Sequence, residues 1–352
     1  MGGKYHFNIQ INSVENNAGS KAIDDCKKIL NKNNYKDLEV NFIKTPYLIF
    51  YNVLKLFSNL VYFLFTIKKK SIIVVQYPLK GINNYFRFFA RLLKYKQCLI
   101  ACIIHDVDSI RDKKFNIKKE ILNLNAYTVV VSHNNRMTAW LTANGLTAKV
   151  VELEIFDYLH NNAGYNKLKD FTINDKTVVF AGSLGRGKFI YDLYKIEGEV
   201  KFRLYGTFIN SEVITAHNNV KWMGTYPPDG LIEELKGEFG LVWDGDSINH
   251  CGGRIGEYLQ YNNPHKASLY IAAGIPIIIP SNAAIADFVL KNNIGITINS
   301  IADIPAKLNR MSDQEYSVML KNTNAVGEKV RIGYFFNSAL KQLEAMQFKV
   351  LS

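Results

Sequence analysis

Short runs of β-branched and aromatic residues alternate with longer stretches of helical period along almost the whole chain. In the first half, apolar runs at 6–11, 38–43, 71–76, 98–104 and 128–132 predict strands, and 150–153 predicts a short last one. The helical stretches between them predict crossovers joining parallel strands. Residues 154–176 break the pattern: they are polar, carry a glycine and several asparagines, and read as a linker. The alternation resumes at 177–181, 201–205, 220–222, 239–243, 275–279 and 295–298. The expected organisation is therefore two consecutive open α/β units, 1–153 and 177–330. A closing helix within 331–352 can pack on either unit, including a return to the first. Open parallel sheets bind ligands beyond the carboxyl ends of their strands. Two such sheets facing across a cleft make an interdomain small-molecule site the default expectation.

One apolar segment, 47–65, approaches the length of a membrane-spanning helix. Asn52, Lys55 and Asn59 form a polar stripe along it, and Lys68, Lys69 and Lys70 follow. A crossover helix packed on a sheet is the favoured reading. Peripheral contact of 47–70 with an acidic membrane surface is the second.

Composition narrows the function classes. The chain has 352 residues, 48% of them hydrophobic and 21% charged, which suits two globular domains and excludes a disordered chain. Lys and Arg number 43 against 31 Asp and Glu, a net charge of +12, so an anionic partner is expected. The basic residues are scattered and no base-stacking motif is present, which leaves nucleic acid aside. The four cysteines show neither CxxC nor Cys/His spacing, so no metal site is read and a reducing cytosol is the simpler compartment. The N-terminal residues lack an apolar signal core.

Candidate chemistry gathers at predicted strand ends. Gly182-Ser183-Leu184-Gly185-Arg186-Gly187-Lys188 is a glycine-rich turn opening a helical pattern from Phe189. Such a turn offers backbone N–H groups and a dipole end to phosphate. Phe189 stands where a P-loop needs Ser or Thr for Mg²⁺, which argues against a magnesium NTPase. Asn263 reads as an N-cap and Pro264 as the first helical residue, putting Lys266 in the first turn. A cation there opposes the helix dipole unless an anion lies nearby. Ser281-Asn282 reads as the cap of the next helix, which carries Asp287. Gly206-Thr207, and Tyr226 after Gly224-Thr225, mark strand ends that a base or ribose can approach. Asp244-Gly245-Asp246-Ser247 follows a buried strand. Sugar-hydroxyl recognition by Asp244 or Asp246, shared with Asn249, His250 and Tyr258, is favoured over metal binding. In the first half, Gln76-Tyr77-Pro78, Ser132-His133-Asn134 and the pair His105/Asp106 follow strands, and His105/Asp106 is the candidate general base.

The segments FAGSLGRGKFI, IHDVDSI, FGLVWDGDS, NNPHKASLYIAAGIPIII and RIGYFF resemble the bacterial GT-B sugar transferases. The resemblance is nearest to the adhesin-modifying glucosyltransferases and the β-1,6-galactofuranosyltransferases, and covers nearly the whole chain. It implies two Rossmann-like domains, an acceptor-binding first half and a UDP-sugar held mostly by the second. By motif position, Arg186 and Lys266 would neutralise the UDP diphosphate, Asn263 would orient it, and Ser20 would approach the donor across the cleft. Gly182, Ser183, Gly206, Thr207, Tyr226, Asp244, Tyr258, Ser281 and Asp287 complete the expected donor site. The double-glutamate signature of other GT-B families is missing after Pro280, where Asp287 stands alone.

The activity implied is metal-independent hexosyl transfer, galactofuranosyl favoured and glucosyl the alternative, with no cofactor beyond the UDP-sugar. The acceptor would be a glycan, lipid-linked or protein-borne, and the enzyme cytoplasmic or peripheral to the inner membrane. Self-association is compatible with this. The rivals are a UDP-sugar epimerase and a non-catalytic nucleotide-sugar-binding subunit.

Overall fold

The computed structural model describes residues 2–11, 18–42, 49–79, 81–161, 176–185, 187–207 and 217–351. The chain divides into two compact units. The first comprises Met1–Asn16, Ile23–Leu153 and Phe336–Ser352; the second comprises Asn17–Ala22 and Glu154–Phe335.

The first unit holds strands β1 (Lys4–Ile11), β2 (Lys36–Phe42), β3 (Ile72–Tyr77), β4 (Leu99–Ile104), β5 (Val129–Ser132) and β6 (Lys149–Glu152). They form one wholly parallel sheet in the order β2-β1-β3-β4-β5-β6. The crossovers carry α1 (Ala18–Lys32), α2 (Ile49–Thr66), α3 (Asn83–Tyr95), α4 (Asp108–Arg111), α5 (Ile117–Leu124) and α6 (Asn135–Ala143). β4 is buried at every position, as a strand covered on both faces must be.

The second unit holds β7 (Thr177–Ala181), β8 (Lys201–Tyr205), β9 (Val220–Gly224), β10 (Phe239–Leu241), β11 (Ile277–Pro280) and β12 (Gly295–Ile298), in the parallel order β12-β11-β10-β7-β8-β9. Its helices are α7 (Pro228–Glu234), α8 (Gly253–Tyr258), α9 (His265–Ala272), α10 (Ala286–Lys291), α11 (Ile304–Arg310) and α12 (Asp313–Ile332). A Ser312–Glu315 capping box starts α12, and Gly333, with φ of 81°, ends it. The last helix, α13 (Tyr334–Leu351), counts with the first unit from Phe336 on. It is tied there by Lys4 Nζ to Glu344 (2.7 Å) and by Asn33 to Asn337 (2.7 Å).

Strand order decides where a ligand can sit. In the second unit the connections after β7 run one way and those after β10 the other, so β7 and β10 flank a topological switch point. In the first unit the reversal falls between β1 and β3.

At the second switch point Gly240 of β10 lies under the Tyr270 ring. A methyl group there would meet the ring at 2.3 Å. The Tyr270 hydroxyl accepts from the Ala181 N–H (2.7 Å) and donates to the Leu241 carbonyl (3.3 Å), tying the ends of β7 and β10. Gly240→Ala is expected to overpack this junction and cost about 1–3 kcal/mol. A thermal melt checks it, and an unchanged midpoint would show that the ring yields.

Three local expectations are corrected. Asn263 is not the cap of α9: Pro264 holds that position without a side-chain cap, the helix begins at His265, and the Asn263 amide donates to the Glu154 carbonyl (2.9 Å). Ser281-Asn282 does not cap α10, whose cap residue is Ile285; the Ser281 N–H joins the ladder to Ile298 (2.9 Å). β11 starts at Ile277 rather than 275, because the Ile275 N–H closes the end of α9 on the Tyr270 carbonyl (2.9 Å). In addition, the start of the polar stretch is packed: Ile155, Phe156 and Tyr158 are buried.

Candidate functional site

In the second unit, β7 delivers Gly182 and Ser183 beyond its carboxyl end, and β8 delivers Gly206 and Thr207. The two turns are stitched together. Gly182 N–H donates to Tyr205 (2.9 Å), and Leu184 N–H to the carbonyl of Thr207 (3.0 Å). Gly206 has φ of 146°, and a Cβ there would lie 1.8 Å from the Gly182 carbonyl oxygen, so only glycine fits. Gly206 also accepts from the Thr225 hydroxyl (3.0 Å) and Trp222 Nε1 (3.1 Å). The Tyr226 ring packs 6.1 Å from that of Tyr205, and its hydroxyl donates to Met223. The expected donor turns are thus gathered over β7, β8 and β9.

Lys266 lies in the first turn of α9. Its ammonium donates to the Trp243 carbonyl (2.9 Å) and to Asp244 Oδ2 (3.0 Å), and stands 4.6 Å above the Phe180 ring. The anion that offsets a cation at a helix start is here the chain's own carboxylate. Asp244 opens the loop of α8, where Asp244, Gly245, Asp246, Gly252, Gly253, Arg254 and Ile255 line a cavity of about 170 Å³. The Cys251 thiol donates to the Asp244 carbonyl (2.9 Å), and burial pushes it up to about 11, so it stays protonated. A Cβ on Gly187 would come within 3.5 Å of the Gly245 carbonyl oxygen, so the glycine-rich turn and the acidic loop are neighbours.

The remaining second-unit candidates are spread around this centre. Arg186 lies outside the described residues. The after-β7 segment continues as a 3₁₀ helix, Lys188–Lys195, not the α-helix expected. Tyr258 is buried at the end of α8. The Ser281 hydroxyl bonds to Asn299 Oδ1, and Asp287 is exposed in the first turn of α10. Ser20 belongs to the first turn of α1, beside Lys21, in the segment that counts with the second unit. Among the described residues no three His, Cys, Asp or Glu side chains gather as a metal set.

The first unit's switch point carries a different arrangement. Asp37 of β2, His6 of β1, Gln76 of β3 and His105 after β4 form a hydrogen-bonded chain across four strands. The separations are 2.7 Å for Asp37–His6, 3.2 Å for His6–Gln76 and 2.7 Å for Gln76–His105. The Gln76 amide nitrogen also reaches the Ile23 carbonyl (3.2 Å), which can only accept. That fixes the amide's direction, so its oxygen faces His105 and the neutral imidazole carries its proton on Nε2. His6 then accepts on Nε2 and donates from Nδ1 to Asp37. His105 is held as one defined tautomer, with Nδ1 the basic nitrogen. Asp106 ion-pairs with Arg111 at 2.5 Å.

A family model described as "Glucosyltransferase 3-like, C-terminal domain" matches residues 178–343, and its N-terminal-domain counterpart matches 4–155. The chain belongs to the glucosyltransferase 3-like family. This glucosyltransferase 3-like chain is 33% identical over 286 residues to the β-1,6-galactofuranosyltransferase WbbI of Escherichia coli (strain K12), covering 80% of this chain and 81% of that one. It is 25% identical over 280 residues to glucosyltransferase 3 of Streptococcus gordonii, covering 77% and 78%. Its fold resembles sucrose-phosphate synthase from Thermosynechococcus elongatus, with a TM-score of 0.59 at 10% identity and 99% of each chain covered. It also resembles an α-glucosyltransferase solved with UDP and DNA, with a TM-score of 0.59 at 12% identity and 99% of each covered. The two Rossmann-like domains of a GT-B protein, and the family read from the motifs, are both as expected.

Sequence reasoning missed several members of the two sites in this family member. Phe180 and Tyr270 sit inside quoted motifs but read as ordinary core. His6 and Asp37 carry no local signal, since only strand pairing brings them to Gln76. Lys21, with its side chain 4% exposed, reaches Asp229 (2.8 Å) and the Leu159 carbonyl (3.0 Å), contacts that lie far apart in sequence.

Proposed function

We propose that this chain is a UDP-sugar glycosyltransferase that moves a hexose, galactofuranose first and glucose second, to a hydroxyl of a glycan acceptor. The carrying observation is Lys266, a cation fixed at a helix start beside the β7/β10 switch point and next to the glycine turns of β7 and β8. Such a group neutralises the charge that builds on a departing diphosphate. Lys266 with Arg186 takes that role without a divalent ion, and Asp244 turns to the sugar hydroxyls once a diphosphate shares the ammonium. Asn263 holds the α9 loop, while Ser20, Tyr226, Tyr258, Ser281 and Asp287 complete donor contacts. His105 takes the acceptor proton as the glycosidic C1–O bond forms and the C1–O bond to UDP breaks, and Asp106, the next residue, is the second member of the catalytic pair. Identity to WbbI and the NNPHK and WDGDS motifs support galactofuranose, and the family model supports glucose. The four cysteines are free thiols, in keeping with a cytosolic reaction.

The test is release of UDP from UDP-galactofuranose and UDP-glucose, with and without a glycan acceptor and EDTA. Acceptor-dependent release that EDTA does not change is expected. Conversion of donor without acceptor would point to an epimerase, and UDP binding without turnover to a non-catalytic subunit.

A further inference from the structure

The outward face of α2 is apolar. Leu56, Leu60, Phe63 and Ile67 pack into the core, while Tyr51, Leu54, Val61, Tyr62 and Phe65 are exposed, Phe65 at 84%. The polar stripe of Asn52, Lys55 and Asn59 is half-buried at the side, so it does not shield this face from water. α3 adds Tyr85, Phe88 (63% exposed) and Tyr95 (87%), spaced along one side of the helix. The Phe57 and Tyr85 rings meet at 5.7 Å, which joins the two helices into one surface. Contiguous exposed apolar side chains of this extent mark a contact surface.

The charge around it is one-sided. Residues 40–105 contain ten Lys or Arg and no Asp or Glu, against a surplus of twelve for the whole chain. Lys68, Lys69 and Lys70 are exposed at the end of α2, and Arg91 and Lys94 are exposed beside the aromatic stripe of α3. None of these five forms an ion pair among the described residues. A second copy docking here through a two-fold axis would set these cations against their own likeness. No helix among the described residues is long and apolar enough to cross a membrane.

We infer that the α2–α3 face is a docking surface for the headgroup region of an anionic lipid bilayer, with the aromatic rings entering the interface and the lysines and arginines meeting lipid phosphates. Aromatic side chains favour the boundary between headgroups and acyl chains, and basic residues near it are drawn by the negative surface potential. The inference is independent of the donor chemistry, since none of its residues belongs to either switch point.

Flotation of the full chain with vesicles tests it, using phosphatidylcholine alone and phosphatidylcholine mixed with phosphatidylglycerol. Binding is expected only to the mixed vesicles and should weaken with salt. The triple charge reversal Lys68→Glu, Lys69→Glu, Lys70→Glu should lower partitioning at least on the order of a hundredfold, taking about fivefold per basic residue. Phe65→Ala, Phe88→Ala, Tyr95→Ala together should lower it by about tenfold or more. These positions are exposed, and a thermal melt verifies that each variant folds. The fluorescence of Phe65→Trp should shift blue on mixed vesicles. Absence of phosphatidylglycerol-dependent binding would overturn the inference. So would unchanged partitioning of the aromatic variant, which would leave a plain polyanion contact such as an acidic protein. A wild-type dimer that the aromatic variant splits would assign the face to a second copy instead.

Discussion

Replacing Lys266 by alanine is expected to lower hexosyl transfer by about 10²–10³-fold, the loss typical of removing one preorganised group that stabilises developing negative charge. Two effects act in the same direction. The ammonium that bridges the Trp243 carbonyl and Asp244 over the Phe180 ring disappears. Asp244 is then left as an uncompensated carboxylate beside the place assigned to the diphosphate, and like charges repel. UDP should raise the melting temperature of the wild-type protein and leave that of Lys266→Ala nearly unmoved, because only a ligand that binds the native state stabilises it. Asp244→Asn separates the two effects: it should keep the UDP-induced shift and lose turnover through the sugar contact. Equal protection of wild type and Lys266→Ala by UDP would place the diphosphate elsewhere.

Mild acid is expected to destabilise both units through two buried histidines. His133 is 1% exposed, and its Nε2–H donates to the Ile104 carbonyl (2.9 Å). Burial lowers its pKa to about 4, outweighing that hydrogen bond, which acts to raise it. His265 stacks on Tyr158 with ring centroids 5.0 Å apart, and its Nε2 is buried without a partner. Burial, and next the charge of Lys21, lower it also to about 4. A histidine kept neutral by the fold contributes its full stability above the unfolded value near 6.5. As pH falls, the unfolded chain takes up a proton that the native state refuses, so stability drops between about pH 6.5 and 4. For His133 the drop amounts to about 3 kcal/mol across that window, and His265 adds in the same sense. Carboxylates held low in the fold, such as Asp37, act below this window. Urea midpoints measured from pH 7.5 to 4.5 check it, and His133→Gln, which keeps a donor for Ile104, should flatten the slope. A midpoint constant over that range would refute the account.

Much of the frame is local in origin and was therefore legible. Each strand is a short β-branched run bounded by turn residues, and each expectation fell within a few residues of its element. The misses have a shared cause: a backbone or amide group committed to a partner outside the element its own sequence suggests. Ile275 looks like strand but gives its N–H to the end of α9, and Asn263 looks like a cap but gives its amide to Glu154, 109 positions earlier. The helix start marks Lys266 as a cation in need of an anion. That Asp244 supplies the anion depends on β10 and α9 meeting over the β7/β10 reversal, which no window of sequence contains.

From the order of residues alone came the two α/β units, the glycine turns at their strand ends, the excess of basic side chains and the motifs of the family. These follow from propensity, periodicity and composition, which act over a few neighbouring residues. The tertiary structure alone decided the strand orders, and with them the switch points at which Lys266 meets Asp244 and Gln76 meets His6. It also ran the chain from Asp37 to His105 that sets one tautomer, and turned the aromatic side of α2 outward rather than its polar stripe. Pairing, burial and ion contact are relations between distant segments, and their free energies exist only once the chain has closed on itself.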